Sequence, residues 1–397
     1  MLRGTPVHAR TSTLCQAQNW RRWSGYLAAG SYELHHDREY WAIRSAAALI
    51  DVSPIHKYLV RGPDAMRLLN RVVTRDLARC AVGQIFYTPW CDARGKVIDD
   101  GLVARLDKDI FRLTSAEPNL RWLTDNARGL EATVEDESER LAALALQGPA
   151  SRRILGQVAE PAAALEGLGP FRLLQGSLGG IPATITRTGY TGDLGYEIWL
   201  EAGRAVDAWD LLLEVGGAYG LLPAGLLALD LARVEAGLIL IDVDYVPAPR
   251  ALTPSQASSP YELNLGWAVD LDGAPFNGWR ALREEKRRGS AWQLVGLEVE
   301  WEALERLYAA EGLPPQLAAE AWRGSAPIYD GRRQVGYATS GAWSPLLKRI
   351  LALAHLEAGH AQPGTRLAME LTVEHRRRKA AARVVKLPFL DAGRRRA

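Results

Sequence analysis

Three cysteines, Cys15, Cys80 and Cys91, are scattered along 397 residues without a C-x-x-C pair. An odd number at such spacing provides neither a disulfide framework nor a structural zinc site. Histidine forms one adjacent pair, His35-His36. Neighbouring side chains on a strand point apart, so a surface pair is expected there rather than a metal centre. No apolar run approaches the roughly 20 residues that a spanning helix needs. The N-terminal stretch through Trp20-Arg-Arg-Trp23 has no apolar segment ahead of its charges, unlike a secretory leader. The net charge of +2 creates no field that argues for nucleic acid. No G-x-G-x-x-G follows a strand pattern, so any flavin belongs to a separate protein. There is no internal repeat. These absences leave a soluble, cytoplasmic protein without nucleic-acid or membrane partners as the expectation.

What is present is ordinary globular composition, 48% hydrophobic and 24% charged. The chain exceeds the roughly 250–300 residues at which single cores stop growing, so two or three domains are expected. The N-terminal segment is rich in aromatics (Trp20, Trp23, Tyr26, Tyr32, Tyr40, Trp41), which need a domain to pack on or a cavity to roof. Residues 58–60 read as a strand, 65–73 as a helix, and 85–89 with 96–106 as a hairpin about a turn at 92–95. Alternating strands and helices continue to about residue 240, which points to an α+β or mixed α/β organisation. Residues 246–260 form a Pro- and Ser-rich break, and the charged run 280–288 closes the first body. Short strands at 294–299, 335–339, 367–372 and 383–387 then suggest a C-terminal β-barrel or sandwich. The expected division is 1–285 and 290–397.

Two carboxylates interrupt an apolar strand in Gly95-Lys-Val-Ile-Asp99-Asp100-Gly-Leu-Val. Flanked by apolar side chains on both faces, each loses hydration unless something pairs with it. Such an acid can hold a cationic or protonatable amine. Equally, the pair can accept backbone N–H bonds at a strand end. A second segment, Thr188-Gly-Tyr190-Thr-Gly-Asp-Leu-Gly-Tyr-Glu197, places three glycines between strands at 183–188 and 196–200, where they permit positive φ or close approach. Glu197 shares its face with Trp199, and its carboxylate can grip an amino-pyrimidine edge through two parallel hydrogen bonds. The plainer alternative is a hairpin whose Glu faces water. It is not a phosphate loop, because no Lys-Ser/Thr follows. Third is a helix over 226–240, in which Arg233 either pairs with Asp230 one turn back or reaches a ligand carboxylate or carbonyl. The basic runs His375–Lys379 and Arg394–Arg396 suit a solvated face or hairpin tip, since no aromatic interleaves them.

In order, these segments resemble the aminomethyltransferase (glycine-cleavage T-protein) family. The likeness runs through Leu49-Ile-Asp-Val-Ser53, Val60-Arg-Gly-Pro-Asp64-Ala, Gly95-Lys-Val-Ile-Asp-Asp100, Ala145-Leu-Gln-Gly-Pro149, Gly189-Tyr-Thr-Gly-Asp-Leu-Gly-Tyr-Glu197 and Arg233-Val-Glu-Ala-Gly-Leu238. It continues through Thr339-Ser-Gly-Ala-Trp-Ser-Pro345, Gln362-Pro-Gly-Thr365 and Val385-Lys-Leu-Pro-Phe389. The resemblance implies a three-domain cloverleaf around a central folate channel, its first two domains discontinuous and its third a β-barrel. It implies tetrahydrofolate as cofactor and Asp100 as the catalytic residue beside the cofactor's reacting nitrogens. It assigns Glu197 to the pterin, and Tyr87, Arg233, Tyr190 and Trp267 to the folate channel. Ser115 stands where the family has a folate-contacting Asn. The family's N-terminal Gly-Trp-x-x-Pro is replaced by Asn19-Trp-Arg-Arg-Trp-Ser-Gly-Tyr26, and Gly101 after Asp100 is similar to the folate-dependent O-demethylase branch. The expectation is a methyltransferase or demethylase that takes a methyl or methylene group from a small methylated amine, sulfonium or ether. A separate redox or carrier-protein partner is allowed for. Glycine-cleavage aminomethyl transfer is the first alternative and a non-catalytic folate-binding protein the second.

Overall fold

The computed structural model describes residues 2–390 and 392–395. The main body holds a seven-stranded sheet. Its order is Ala159–Glu160, Leu173–Leu178, Ile181–Thr186, Gly195–Glu201, Leu141–Gln147, Ala47–Asp51 and Leu221–Pro223. The middle strand, Leu141–Gln147, is buried on both faces. Leu144 and Leu146 join one core, with Trp209 and Leu212 from the helix Ala205–Gly216. Ala143 and Ala145 face a second core, with Ala228 and Ala232 from the helix Leu226–Glu235. Small residues on both partners let that helix lie close to the sheet, as tight packing demands.

Residues 56–136 leave this sheet and return to it, forming a five-stranded antiparallel sheet in the order Ile85–Cys91, Val97–Asp107, Ile110–Ser115, His56–Arg61, Thr133–Asp136. The helix Ala65–Val72 covers one face through Leu68, Leu69 and Val72. The opposite face turns toward the Ile181–Thr186 and Gly195–Glu201 strands of the larger sheet. An N-terminal sheet, Arg3–Gly4 with Tyr26–Ser31 and Asn19–Trp23, packs at the side. The third domain is a closed six-stranded barrel, running round as Trp292–Val299, Arg349–Glu357, Arg333–Ser344, Ala326–Asp330, Arg366–Val373 and Arg376–Val385. The α+β class and the barrel agree with the sequence-based expectation.

Four details differ. The helix expected over 226–240 ends at Glu235, because Gly237 takes φ +65° and stops it in the left-handed conformation favoured at helix ends. The strand placed at 383–387 is the end of the ten-residue Arg376–Val385, preceded by a turn in which Glu374 and His375 have positive φ. His36 is buried just ahead of the helix Asp37–Ser45, whereas His35 alone is exposed. Arg394 is only partly exposed and reaches Asp193 at 2.7 Å and the Arg44 carbonyl at 2.6 Å, while Arg396 lies outside the described residues.

Candidate functional site

The two readings of the aspartate pair turn out to be divided between its members. Asp99 is fully buried, and its carboxylate accepts the N–H groups of Asp100 (2.8 Å) and Glu117 (3.1 Å) and the side-chain amide of Asn119 (2.8 Å). That is the structural role. Asp100 points to the other face and keeps some accessible surface, although protein surrounds it. Tyr87 donates to its Oδ2 at 2.8 Å, and Tyr245 donates to its Oδ1 at 2.5 Å. Burial raises the Asp100 carboxyl above the usual carboxylate range, and the two phenols pull it back down. Burial and then the negative Asp100 push Asp99 up further. Both tyrosines are held well above their ordinary range by burial, so they remain donors.

Along the same face as Asp100 come Leu102 and Ala104, flanked by Ile85 on one neighbouring strand and by Thr114 and Arg112 on the other. Opposite them stand Glu197 and Trp199, paired across their sheet with Thr186 and Thr184. Together these residues line a cleft between the two sheets. Gly101 has a local reason: a Cβ there would lie 1.9 Å from the Thr114 carbonyl. Gly189 and Gly195 make room for the Gln147 amide, which would meet a Cβ at 2.0 and 2.3 Å. Gln147 in turn donates to the carbonyls of Thr188 and Tyr196 and accepts from Thr191, so the glycine segment is a pinned loop.

Glu197 is 9% exposed. Burial pushes its carboxyl up to about 7, with the Thr188 hydroxyl acting against it. Because the folded value lies above the ordinary 4.5, this group's stabilisation is full below that value and is lost as pH rises through about 7. Glu197→Gln, which mimics the neutral acid, is therefore expected to be more stable than the parent at alkaline pH, by on the order of 3 kcal/mol, with the gap closing toward pH 4.5. Urea unfolding across pH 4.5–8.5 measures it. A constant gap would show that the group does not titrate between those limits.

Arg233 is completely buried. Its Nε donates to Asp230 at 2.8 Å, and its Nη1 donates to Asp244 at 2.5 Å and to Ser340 at 3.1 Å. The intrahelical pair with Asp230 is thus present, but it uses one nitrogen. Nη2 is buried with no hydrogen-bond partner among the described residues. Tyr190 donates to the Ile239 carbonyl, and its ring packs against the second core. Trp267 is 62% exposed and stacks on Tyr87 with ring centroids 5.8 Å apart. Asp100, Tyr87 and Trp267 thus form a continuous line of contacts. Ser115 stands apart, buried with its hydroxyl on the Glu117 carbonyl at 2.7 Å. Alternation along its strand sends Thr114, not Ser115, into the cleft. The N-terminal aromatics are mostly structural: Tyr32 and Tyr40 are core, and Trp20 and Trp23 pack against the two cores of the large sheet.

Tyr245 escaped the sequence reading. It lies beyond the Arg233-Val-Glu-Ala-Gly-Leu238 segment, in a loop whose contact with Asp100 spans 145 residues. The alternation Asp242-Val-Asp244-Tyr245 after that segment was the available signal.

A sequence model described as the GCVT N-terminal domain matches residues 7–273, and one described as the glycine cleavage T-protein C-terminal barrel domain matches 310–391. The chain is 36% identical over 356 residues to an aminomethyltransferase of Halothermothrix orenii, covering 89% of this chain and 90% of that protein. It is 32% identical over 393 residues to a trimethylamine-oxide aldolase of Ruegeria pomeroyi, covering 96% of this chain but 46% of the larger protein. In structure it is similar to the glycine cleavage system aminomethyltransferase T from Bartonella henselae, with a TM-score of 0.82 at 26% identity and 98% of each chain covered.

Proposed function

The chain belongs to the glycine-cleavage T-protein family, and on that premise we propose that it is a tetrahydrofolate-dependent one-carbon transferase whose donor is a small methylated amine, sulfonium or ether. The observation that carries this reading is the Asp100 carboxylate, held by two phenols on the strand whose Leu102 and Ala104, of the same parity, line a cleft opposite Glu197. The residues present fit a reduced folate. A buried carboxyl with a raised pKa suits the donor-rich edge of an aminopyrimidine. The Nη2 of Arg233, without a hydrogen-bond partner among the described residues, is a buried donor that a ligand oxygen would satisfy. Aromatic and aliphatic walls suit a flat ring system.

When bound, tetrahydrofolate supplies the nitrogens that accept the carbon. Asp100 then acts as an oriented negative charge beside the reacting amine, favouring the cationic form through which a carbon leaves nitrogen. Tyr87 and Tyr245 keep that carboxylate aimed. Glu197 sets the orientation of the pterin, and Trp199 with Leu102 excludes water. Tyr190 and Trp267 complete the channel, and Thr114 takes the place first given to Ser115.

Among donors, a methylated amine has the most support. The Ruegeria relative named for trimethylamine oxide aligns with nearly the whole of this chain, and a carboxylate ringed by tyrosines suits a methylammonium cation. Aminomethyl transfer within glycine cleavage, with a carrier-protein partner, is the second reading, supported by the relatives named aminomethyltransferase. Non-catalytic folate binding leaves Asp100 and its two phenols without a purpose. Tetrahydrofolate titration with fluorescence detection, followed by a screen of small methylated amines, sulfonium compounds and aryl ethers for folate-dependent demethylation, tests the reading. Glu197→Gln should bind tetrahydrofolate about 1–3 kcal/mol more weakly than the parent. Equal affinity removes Glu197 from the site, and no binding by the parent protein removes the reading altogether.

A further inference from the structure

The sequence segment Thr339-Ser-Gly-Ala-Trp-Ser-Pro345 lies in the barrel, and the cleft does not account for it. Its hydroxyls do not face solvent: Thr339 and Ser340 are 4% and 0% exposed. Both donate to the same oxygen, Asp244 Oδ1, at 2.5 and 2.6 Å. Consecutive side chains of a regular strand point to opposite faces. Here the register of Arg333–Ser344 against Arg349–Glu357 shifts between Ala338 and Ser340, and such a bulge re-aims a side chain. The irregularity brings two neighbouring hydroxyls to one carboxylate in another domain.

Asp244 is 1% exposed. Its second oxygen accepts Arg233 Nη1 at 2.5 Å and the Leu240 N–H at 2.8 Å. Its backbone carbonyl lies 2.7 Å from Nε2 of His355, also in the barrel, and its N–H donates to the Leu240 carbonyl at 2.7 Å. The residue is anchored on every polar atom. The next residue in the chain is Tyr245, which is buried and whose hydroxyl ends on Asp100 Oδ1.

We propose that Asp244 and Tyr245 form a positioning unit for the transfer, through which the barrel strand Arg333–Ser344 holds the carboxylate of Asp100 in place. A continuous line of hydrogen bonds and one peptide link runs from Thr339 and Ser340 to Asp244, Tyr245 and Asp100. The same Asp244 occupies Arg233 Nη1, which leaves Nη2 as that side chain's uncommitted donor. The barrel therefore takes part in organising the site rather than merely covering it. Charged and titratable groups acting on Asp100 come from each side: Asp99 on its own strand, Tyr87 on the adjoining strand, Tyr245 from the loop and Tyr190 from the glycine segment, behind which lies Arg233. Among these, the phenols of Tyr245 and Tyr87 favour the ionised carboxylate directly.

The kinetic arm of the test rests on the folate-transfer reading, and the titration arm does not. Tyr245→Phe keeps the ring and removes one donor. In the parent and in this variant, both ligand-free and labelled with [γ-13C]aspartate, the carboxyl resonance of Asp100, assigned by its loss in Asp100→Asn, reports ionisation directly. The expected result is a higher midpoint in Tyr245→Phe and a smaller shift in the same direction in Thr339→Val/Ser340→Ala. In turnover, the acid limb of the pH–rate profile should move up with that midpoint. The value of kcat should fall about tenfold or more, while KM for tetrahydrofolate stays within about twofold. An unmoved Asp100 midpoint in Tyr245→Phe overturns the proposal, even if turnover falls. An unmoved midpoint in the barrel double variant removes the barrel from it. A parent protein that shows the expected midpoints but binds no folate would overturn the proposed function while leaving the positioning of Asp100 intact.

Discussion

Replacing Asp100 with alanine is expected to lower one-carbon transfer by on the order of 100- to 1,000-fold while leaving tetrahydrofolate affinity within about threefold. The reasoning separates two kinds of contact. On the proposed folate reading, Glu197 and Arg233 would meet the ligand equally in its ground and transition states, so losing them would weaken binding. On the same reading Asp100 would oppose positive charge that develops as the carbon moves, so losing it would affect the rate. Because Tyr87 and Tyr245 both donate to Asp100, the alanine variant also leaves two buried phenols without an acceptor, and a modest loss of stability accompanies the loss of rate. Single-turnover transfer with saturating folate separates these effects. If Asp100→Ala kept near-parental turnover with the true donor, this carboxylate would have no part in the chemistry.

The largest effect on stability is expected from Arg44. Its side chain is 1% exposed, and it donates to Glu235 Oε2 from Nε at 2.9 Å, to the Thr191 carbonyl at 2.7 Å and to the Ala232 carbonyl at 3.1 Å. It also pairs with Asp193 and, through Nη2, with Glu235. Tyr40 and Ser344 donate to the same Glu235, and Arg394 braces Asp193. Arg44→Met keeps much of the volume but leaves Glu235 buried and without its cation, and breaking a buried pair in this way costs about 3–5 kcal/mol. Chemical unfolding should show that loss, with a smaller one for Arg394→Ala, because Arg394 is part-exposed and Asp193 retains Arg44. A change below about 1 kcal/mol for Arg44→Met would show that this buried network does not hold the fold.

The outline of the molecule was legible from periodicity. An apolar run interrupted by two acids marked the Asp99–Asp100 strand, the alternation of Glu197 with its apolar neighbours marked its own, and glycines marked the loop between Tyr190 and Gly195. Correct faces followed wherever a strand was regular, which is why Glu197 was placed beside Trp199. What the pattern could not show were pairings made across long stretches of chain. Tyr245 reaches Asp100 over 145 residues, and Ser340 reaches Asp244 over 96. Neither residue looks unusual beside its sequence neighbours. The aspartate pair shows the same limit at short range. By pattern alone two adjacent acids on one strand are interchangeable, and only the resemblance singled out Asp100; the fold supplies three N–H donors to Asp99 and two O–H donors to Asp100. His36 and Arg394 were misjudged for a related reason. A polar residue reads as solvated until a neighbouring helix or carboxylate encloses it, and that enclosure is a tertiary property. At Ser115 likeness and strand parity part company: alternation turns Thr114, not Ser115, toward the cleft.

The strand Ala47–Asp51 is buried at every residue, and its two neighbours in the sheet are Leu141–Gln147 and Leu221–Pro223. The chain therefore makes a central, buried segment, apolar except for Asp51, long before either flank exists. At roughly 5–20 residues per second, a ribosome needs about 10–30 s to deliver the second flank. Until then at least one edge of the segment is open to other nascent chains, so chaperone occupancy during synthesis, rather than the stability of the finished protein, should set the soluble yield.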